Sequence, residues 1–165
     1  MIRYLLSISI LFTIFSSCTS EIQCDQAPDI SPDQTNLESQ INEIEAYLSA
    51  EGLNYQTHSS GIRYVELESG EGRSPNFCSS VSIDYEGREL GSDEIFISAI
   101  GSEFSLRTNS VVPGFKIAIS LMNRGADYRV FIPAELLINK GISDVFPRNI
   151  PEGSNVEFRI RLNTY

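Results

Sequence analysis

The sequence predicts an α+β fold: a curved antiparallel sheet forming a half-barrel around one short helix, with an amphipathic helix ahead of it. Three observations predict it. Apolar and polar residues alternate along several short segments, as Val81, Ile83 and Tyr85 do with Ser82, Asp84 and Glu86, which is the period of strands with one buried face. A single internal segment changes to helical spacing, opened by Pro113, carrying Phe115, Ile119 and Met122 on one side and ended by Gly125, with proline and glycine where a helix tolerates them. A second helical period lies before all the strands. The chain has 165 residues, enough for one such domain with an N-terminal extension.

Taken in order, Tyr4 to Phe15 is almost wholly apolar, follows Arg3 and ends in Ser16 and Ser17 directly before Cys18. A run this short falls well below the ~20 residues of a spanning helix. Residues 1–17 therefore read as a secretory signal whose end suits cleavage and lipid attachment at Cys18, although Phe15 stands where leucine is usual. A plain N-terminal membrane anchor is the alternative. Residues 18–34 are polar, contain Pro28 and Pro32 and show no hydrophobic period, so they read as a flexible tether.

Residues 35–58 read as a helix and a linker. Leu37, Ile41, Ile44 and Leu48 recur on one face, Thr35 with Glu38 forms a capping box, and Gly52 supplies a stop. That face either packs on its own domain or, since the spacing also suits a short coiled coil, pairs with a second copy. His58 reads as a solvated linker residue. From residue 59 to 165 the period is two. Ile62, Tyr64 and Glu66 alternate with Arg63, Val65 and Leu67. Two short strands are expected at Glu94 to Ser98 and Glu103 to Leu106. Tyr128, Val130 and Ile132 mark another strand, and Val156, Phe158, Ile160 and Leu162 the last.

Charge and cysteine usage narrow the function classes. The formal net charge is −10, so nucleic acid and anionic headgroups are poor partners; the membrane would be reached through lipid. Beyond Cys18 the cysteines are Cys24 and Cys78, which an oxidising compartment would allow to pair and which otherwise remain free thiols. His58 is the sole histidine and there is no CxxC pair, which leaves no material for a zinc site or a histidine-based triad.

Several short motifs occur in a telling order. They are Ser60-Gly61-Ile62-Arg63-Tyr64, Gly70-Glu71-Gly72, Val81 to Gly87, Phe96, Val111-Val112-Pro113-Gly114-Phe115, Gly125, Ile132-Pro133-Ala134-Glu135-Leu136, Ile150-Pro151 and Val156-Glu157-Phe158. This ordered set resembles the FKBP-type peptidyl-prolyl isomerases, and with the N-terminal features it is similar to bacterial FKBP lipoproteins, including those associated with gliding motility. The resemblance implies the curved sheet around one helix, a substrate pocket between them, proline-containing polypeptides as substrates and no cofactor. It also implies the reaction: rotation about the bond preceding proline, slowed by an amide barrier of ~18–20 kcal/mol, and accelerated where the twisted amide is favoured over the planar one.

Carried over by position, the resemblance makes Tyr85 the pocket tyrosine, Phe96 and Phe158 wall aromatics, and Phe115 the floor where many members have tryptophan. Val111 and Val112 become the aliphatic pair, with the backbone N–H of Val112 offered to a substrate carbonyl. Phe104 adds a third wall ring, and Ile150 lines the same site. Two positions depart from the family. Ile97 stands where an acidic residue usually follows the wall phenylalanine, and Ile138 where a tyrosine is usual. The segment Ser143 to Asn149, with Pro147 and Arg148, alters the loop that overhangs the pocket. Two functions are therefore expected to compete: a lipid-anchored isomerase assisting the folding of exported proteins in the bacterial envelope, and a non-catalytic FKBP-like peptide-binding or structural lipoprotein.

Overall fold

The structure, a computed structural model, describes residues 24–138 and 146–165. The signal segment and Cys18 lie outside the described residues. Helix α1 (Gln34–Ala50) begins two residues earlier than the Thr35 and Glu38 pattern suggests, because Asp33 is the cap. Its Oδ1 accepts from the Asn36 N–H at 3.0 Å, and its own N–H donates to Glu135 Oε2 at 3.0 Å. An aspartate at this position satisfies an otherwise orphaned helix donor. Glu51 closes the helix and Gly52 follows at φ 65°, a left-handed conformation that glycine adopts without steric cost.

Six strands form one sheet: β1 (Gln56–Thr57), β2 (Arg63–Glu68), β3 (Ser80–Glu89), β4 (Ile95–Ser105), β5 (Asp127–Ile132) and β6 (Val156–Thr164). Their order across the sheet is β1-β2-β5-β6-β3-β4, with every neighbouring pair antiparallel. The two short strands expected near residues 94 and 103 are one continuous strand, β4. Its register against β3 steps from Tyr85–Ala99 to Ile83–Ser102, so one extra residue is accommodated as a bulge. Gly101 takes φ 63° there and donates its N–H to Asp84 Oδ1 at 2.8 Å. Pairing resumes on either side, which is why a break in the sequence period is not a break in the strand.

Helix α2 (Pro113–Ser120) lies between β4 and β5 with Pro113 in its first turn. It ends before Gly125. The N–H groups of Leu121 and Met122 bond to the carbonyls of Ala118 and Ile119, tightening the last turn to the 3₁₀ pattern. Met122 is nonetheless fully buried, and Gly125 serves the following turn, donating to the Leu162 carbonyl at 2.6 Å.

The sheet is covered on both faces. On the inner face Val81, Ile83, Tyr85, Val130, Ile132, Phe158, Ile160 and Leu162 pack around α2. On the outer face Ile44 and Leu48 of α1 bury Phe131, with Val65 and Leu90 beside it. Full burial of such side chains stabilises by roughly 1.5–3 kcal/mol each. The apolar face of α1 is therefore satisfied by its own sheet and is not presented to a second copy. Arg63, which the alternation places outward, lies under α1 and pairs with Glu45 at 2.8 Å.

A buried Asn155 fastens the layers together. Its Oδ1 accepts from the Ala134 N–H at 3.1 Å and its Nδ2 donates to Glu43 of α1 at 2.8 Å. Nearer the N-terminus, Cys24 and Cys78 are joined by a disulfide with a Cα–Cα distance of 5.1 Å, and Phe77 donates its N–H to the Cys24 carbonyl at 2.9 Å. The described part of the segment read as a tether is thus tied to the domain, with Ile30 packed on the core. His58 is half-buried, and its Nδ1 accepts the Ser60 N–H at 3.2 Å, so it closes a turn rather than standing in solvent.

Candidate functional site

The inner face of the sheet gathers aromatic rings over α2. Phe115 projects from the first turn of α2 and is fully buried. Phe158 of β6 meets it edge-on at 5.0 Å between centroids, and Tyr85 of β3 does so at 5.9 Å. Phe96 of β4 stands perpendicular to Phe158 at 5.8 Å, and Phe104, further along β4, tilts over Phe115 at 6.2 Å. Edge-to-face pairs of this kind contribute roughly 0.5–1.5 kcal/mol beyond their buried area. Val111 and Val112, also buried, lead into α2 beneath these rings. The strand period puts Tyr85 and Phe158 on one face, and the proline of α2 sets the turn that raises Phe115 between them.

Phe158 owes its place to Gly87. The two are paired across β3 and β6, and Ile97 pairs with Gly87 from the other side. The ring crosses the space that a side chain at 87 would occupy. Ile97 is half-buried against the aromatic core, so the position that usually carries an acid is an apolar wall here.

Burial pushes the Tyr85 phenol above its ordinary pKa, and the side chain of Ser102 opposes part of that rise. Ser102 lies on β4 opposite Ile83 and is the polar neighbour of this hydroxyl in the absence of an acid at 97. The site thus holds a neutral phenol among apolar rings packed edge to face. Among the described residues the ring pairs bring in no acid, base or nucleophile beyond that phenol, and no cluster of His, Cys, Asp or Glu could hold a metal. Such a site can strip water from a peptide and reshape it.

One expected contributor, Ile138, sits apart from the rings. It is 52% exposed and lines a groove of about 1300 Å³ with Gln40, Glu135, Pro147 and Ile150. Ile150 borders both this groove and the aromatic core. Sequence reasoning missed Phe146. Its ring lies 4.6 Å from Phe104, 5.4 Å from Tyr85 and 5.5 Å from Phe115. Its carbonyl accepts the Val112 N–H at 3.0 Å, so the donor expected to meet substrate is engaged within the chain. The Phe146–Pro147 peptide is cis. An aromatic residue in a segment without hydrophobic period gives no signal of where it will dock.

Comparison with known proteins places this geometry. The profile of the family described as FKBP-type peptidyl-prolyl cis-trans isomerase matches residues 72–163, more than half of the chain and all of β3 to α2, β5 and nearly all of β6. The chain is 31% identical over 83 residues to the peptidyl-prolyl cis-trans isomerase Mip of Coxiella burnetii, covering 49% of this chain and 36% of that one. It is 32% identical over 79 residues to the outer membrane protein MIP of Legionella longbeachae, covering 47% and 34%. It thus spans about a third of the length of these curated relatives. The crystal structure of FkpA from Escherichia coli superposes with a TM-score of 0.60 at 22% identity, covering 79% of this chain and 61% of that one, which shows the shared fold. With the profile running through the strands and helix that carry the rings, the chain belongs to the FKBP-type peptidyl-prolyl cis-trans isomerase family.

Proposed function

We propose that this protein is a peptidyl-prolyl cis-trans isomerase that assists the folding of exported proteins from the bacterial envelope. The observation that carries the reading is the convergence of Tyr85, Phe115 and Phe158, with Phe96 and Phe104 at their edge, on the inner face of the sheet. An X-Pro amide held against these rings loses water that favours its planar, more dipolar form. The twisted amide suffers less from that loss, so the barrier falls; each ~1.4 kcal/mol of difference gives tenfold in rate. No covalent step and no cofactor enter. Tyr85 would orient the substrate through its hydroxyl, and Phe115 would bear the proline ring.

The envelope location is supported by the name of the Legionella longbeachae relative, an outer membrane protein, and by the apolar segment before Cys18. Lipid at Cys18 would supply the anchor. The second reading, a peptide-binding module without turnover, is favoured by Ile97 and Ile138, which remove two polar side chains from the site, and by the engaged Val112 N–H. A proline-peptide isomerisation assay on the soluble chain from Thr19 onward tests the choice. Acceleration above the uncatalysed rate is the expected result; peptide binding without acceleration would establish the second reading instead.

A further inference from the structure

We infer that Phe146 is an internal occupant of the peptide site, so that a substrate must displace a residue of this same chain before it binds. The inference rests on the reading of the aromatic face as the peptide site. Its own support is the manner in which Phe146 is held. The Phe146 N–H donates to the Ser110 carbonyl at 2.6 Å, and the Val112 N–H donates to the Phe146 carbonyl at 3.0 Å. These two bonds bracket Val111, with which Phe146 makes a parallel bridge. That is how an extended peptide adds to an exposed backbone edge, with main-chain bonds for affinity and a side chain sent into a pocket.

The side chain is also placed as a ligand's would be. The Phe146 ring touches Tyr85, Phe104 and Phe115 together, three of the rings that a proline peptide would need. Phe115 is 0% exposed and Tyr85 7%, so the floor of the site offers no surface to an incoming peptide in this state. One cavity of about 440 Å³ reaches Tyr85 from the side of Asp84 and Arg159, and another of about 310 Å³ reaches Val111, but neither is lined by Phe115 or Phe158. An incoming peptide and Phe146 require the same ring surfaces and the same N–H, and they exclude each other. The apparent affinity for peptide is then the intrinsic one reduced by the fraction of molecules in which Phe146 has left. Three ring contacts are enough to make that fraction small, on the order of one in ten or less.

The test uses the full soluble chain and a succinyl-Ala-Phe-Pro-Phe anilide as probe, with affinity followed by NMR titration and turnover by isomerisation rate. Phe146→Ala should bind this peptide about tenfold tighter or more, with a matching gain in kcat/KM. In a chain whose sequence is intact but for 4-fluorophenylalanine at position 146, the fluorine resonance should move toward its solvent value along the same saturation curve as the peptide shifts. This second measurement does not depend on the alanine variant folding. Phe146→Ala that binds more weakly than the parent, or equally well, would show Phe146 to be a wall of the site and overturn the inference, as would a fluorine signal unmoved at saturation. If neither parent nor variant binds or accelerates the peptide, the reading of the site fails and this inference with it. A parent that turns over normally beside a variant that gains nothing removes the inference alone.

Discussion

A Cβ built on Gly87 would lie 2.4 Å from Phe158 Cε1 and 3.0 Å from Ile97 Cγ2. The absence of a side chain at one position of β3 is thus what lets the ring of β6 reach the floor of the site. Phe158 is fully buried and its ring is held by Phe96, Phe115 and Tyr85, so it cannot swing aside without emptying the core. Gly87→Ala should destabilise by about 1–3 kcal/mol, the usual cost of overpacking, and should weaken proline-peptide binding in parallel. Denaturant midpoints and a peptide titration measure the two; unaltered stability would show that the ring has room to yield.

The hydroxyl of Tyr85 has the side chain of Ser102 rather than a carboxylate beside it. Tyr85→Phe removes that hydroxyl and leaves every ring contact in place. Loss of one hydrogen bond to substrate would lower kcat/KM by roughly 2- to 10-fold, with the unfolding midpoint nearly unchanged. A rate equal to the parent's would make the hydroxyl a bystander and leave the rings as the whole of the chemistry.

Asp84 supports the bulge of β4. Its Oδ1 accepts from the Gly101 N–H and from Asn163 Nδ2, each at 2.8 Å, and the backbone bond is the main reason its pKa is lowered from 3.8. A carboxyl depressed on folding contributes stability that is fully present above its unfolded pKa and is lost as the pH falls through the lower folded value. Asp84→Asn should therefore flatten the acid limb of the stability profile below about pH 4 and leave its shape near neutrality unchanged. Urea denaturation from pH 2 to 7 reads this directly. An acid limb identical to the parent's would mean that the bulge does not depend on the charge.

The Cys24–Cys78 bond joins positions 54 residues apart. Restricting the unfolded chain over a loop of that length stabilises by about 2–4 kcal/mol. Cys24→Ser with Cys78→Ser should lower the guanidinium midpoint accordingly and should abolish any effect of added reductant. Equal midpoints would indicate that the Phe77 bond to the Cys24 carbonyl and the packing of Ile30 hold the segment unaided.

The strands and the rings were legible because each obeys a short period. Tyr85 and Phe158 stand at alternate positions of segments with one apolar face, and Phe115 follows a proline that starts a helix; period alone makes them core, and their meeting at one site was what the family resemblance implied. What could not be read lies where contacts join distant segments without a period. Phe146 is held by residues more than 30 positions away, and nothing in its neighbours announces them. Asp33 displaces the capping role expected of Thr35 partly because Glu135, 102 positions on, fixes its backbone. The necessity of Gly87 appears only once β6 is paired with β3. The continuity of β4 likewise depends on Asp84, a residue of the neighbouring strand.

The Cys24–Cys78 bond also sets a length. If lipid is carried at Cys18, the leash that matters runs from residue 18 to residue 24 rather than to the start of α1 at residue 34. Six residues at full extension reach roughly 20 Å. The protein would then ride close to the lipid surface, able to tilt and swivel but not to forage. Severing this one cross-link would lengthen that reach without altering the aromatic face.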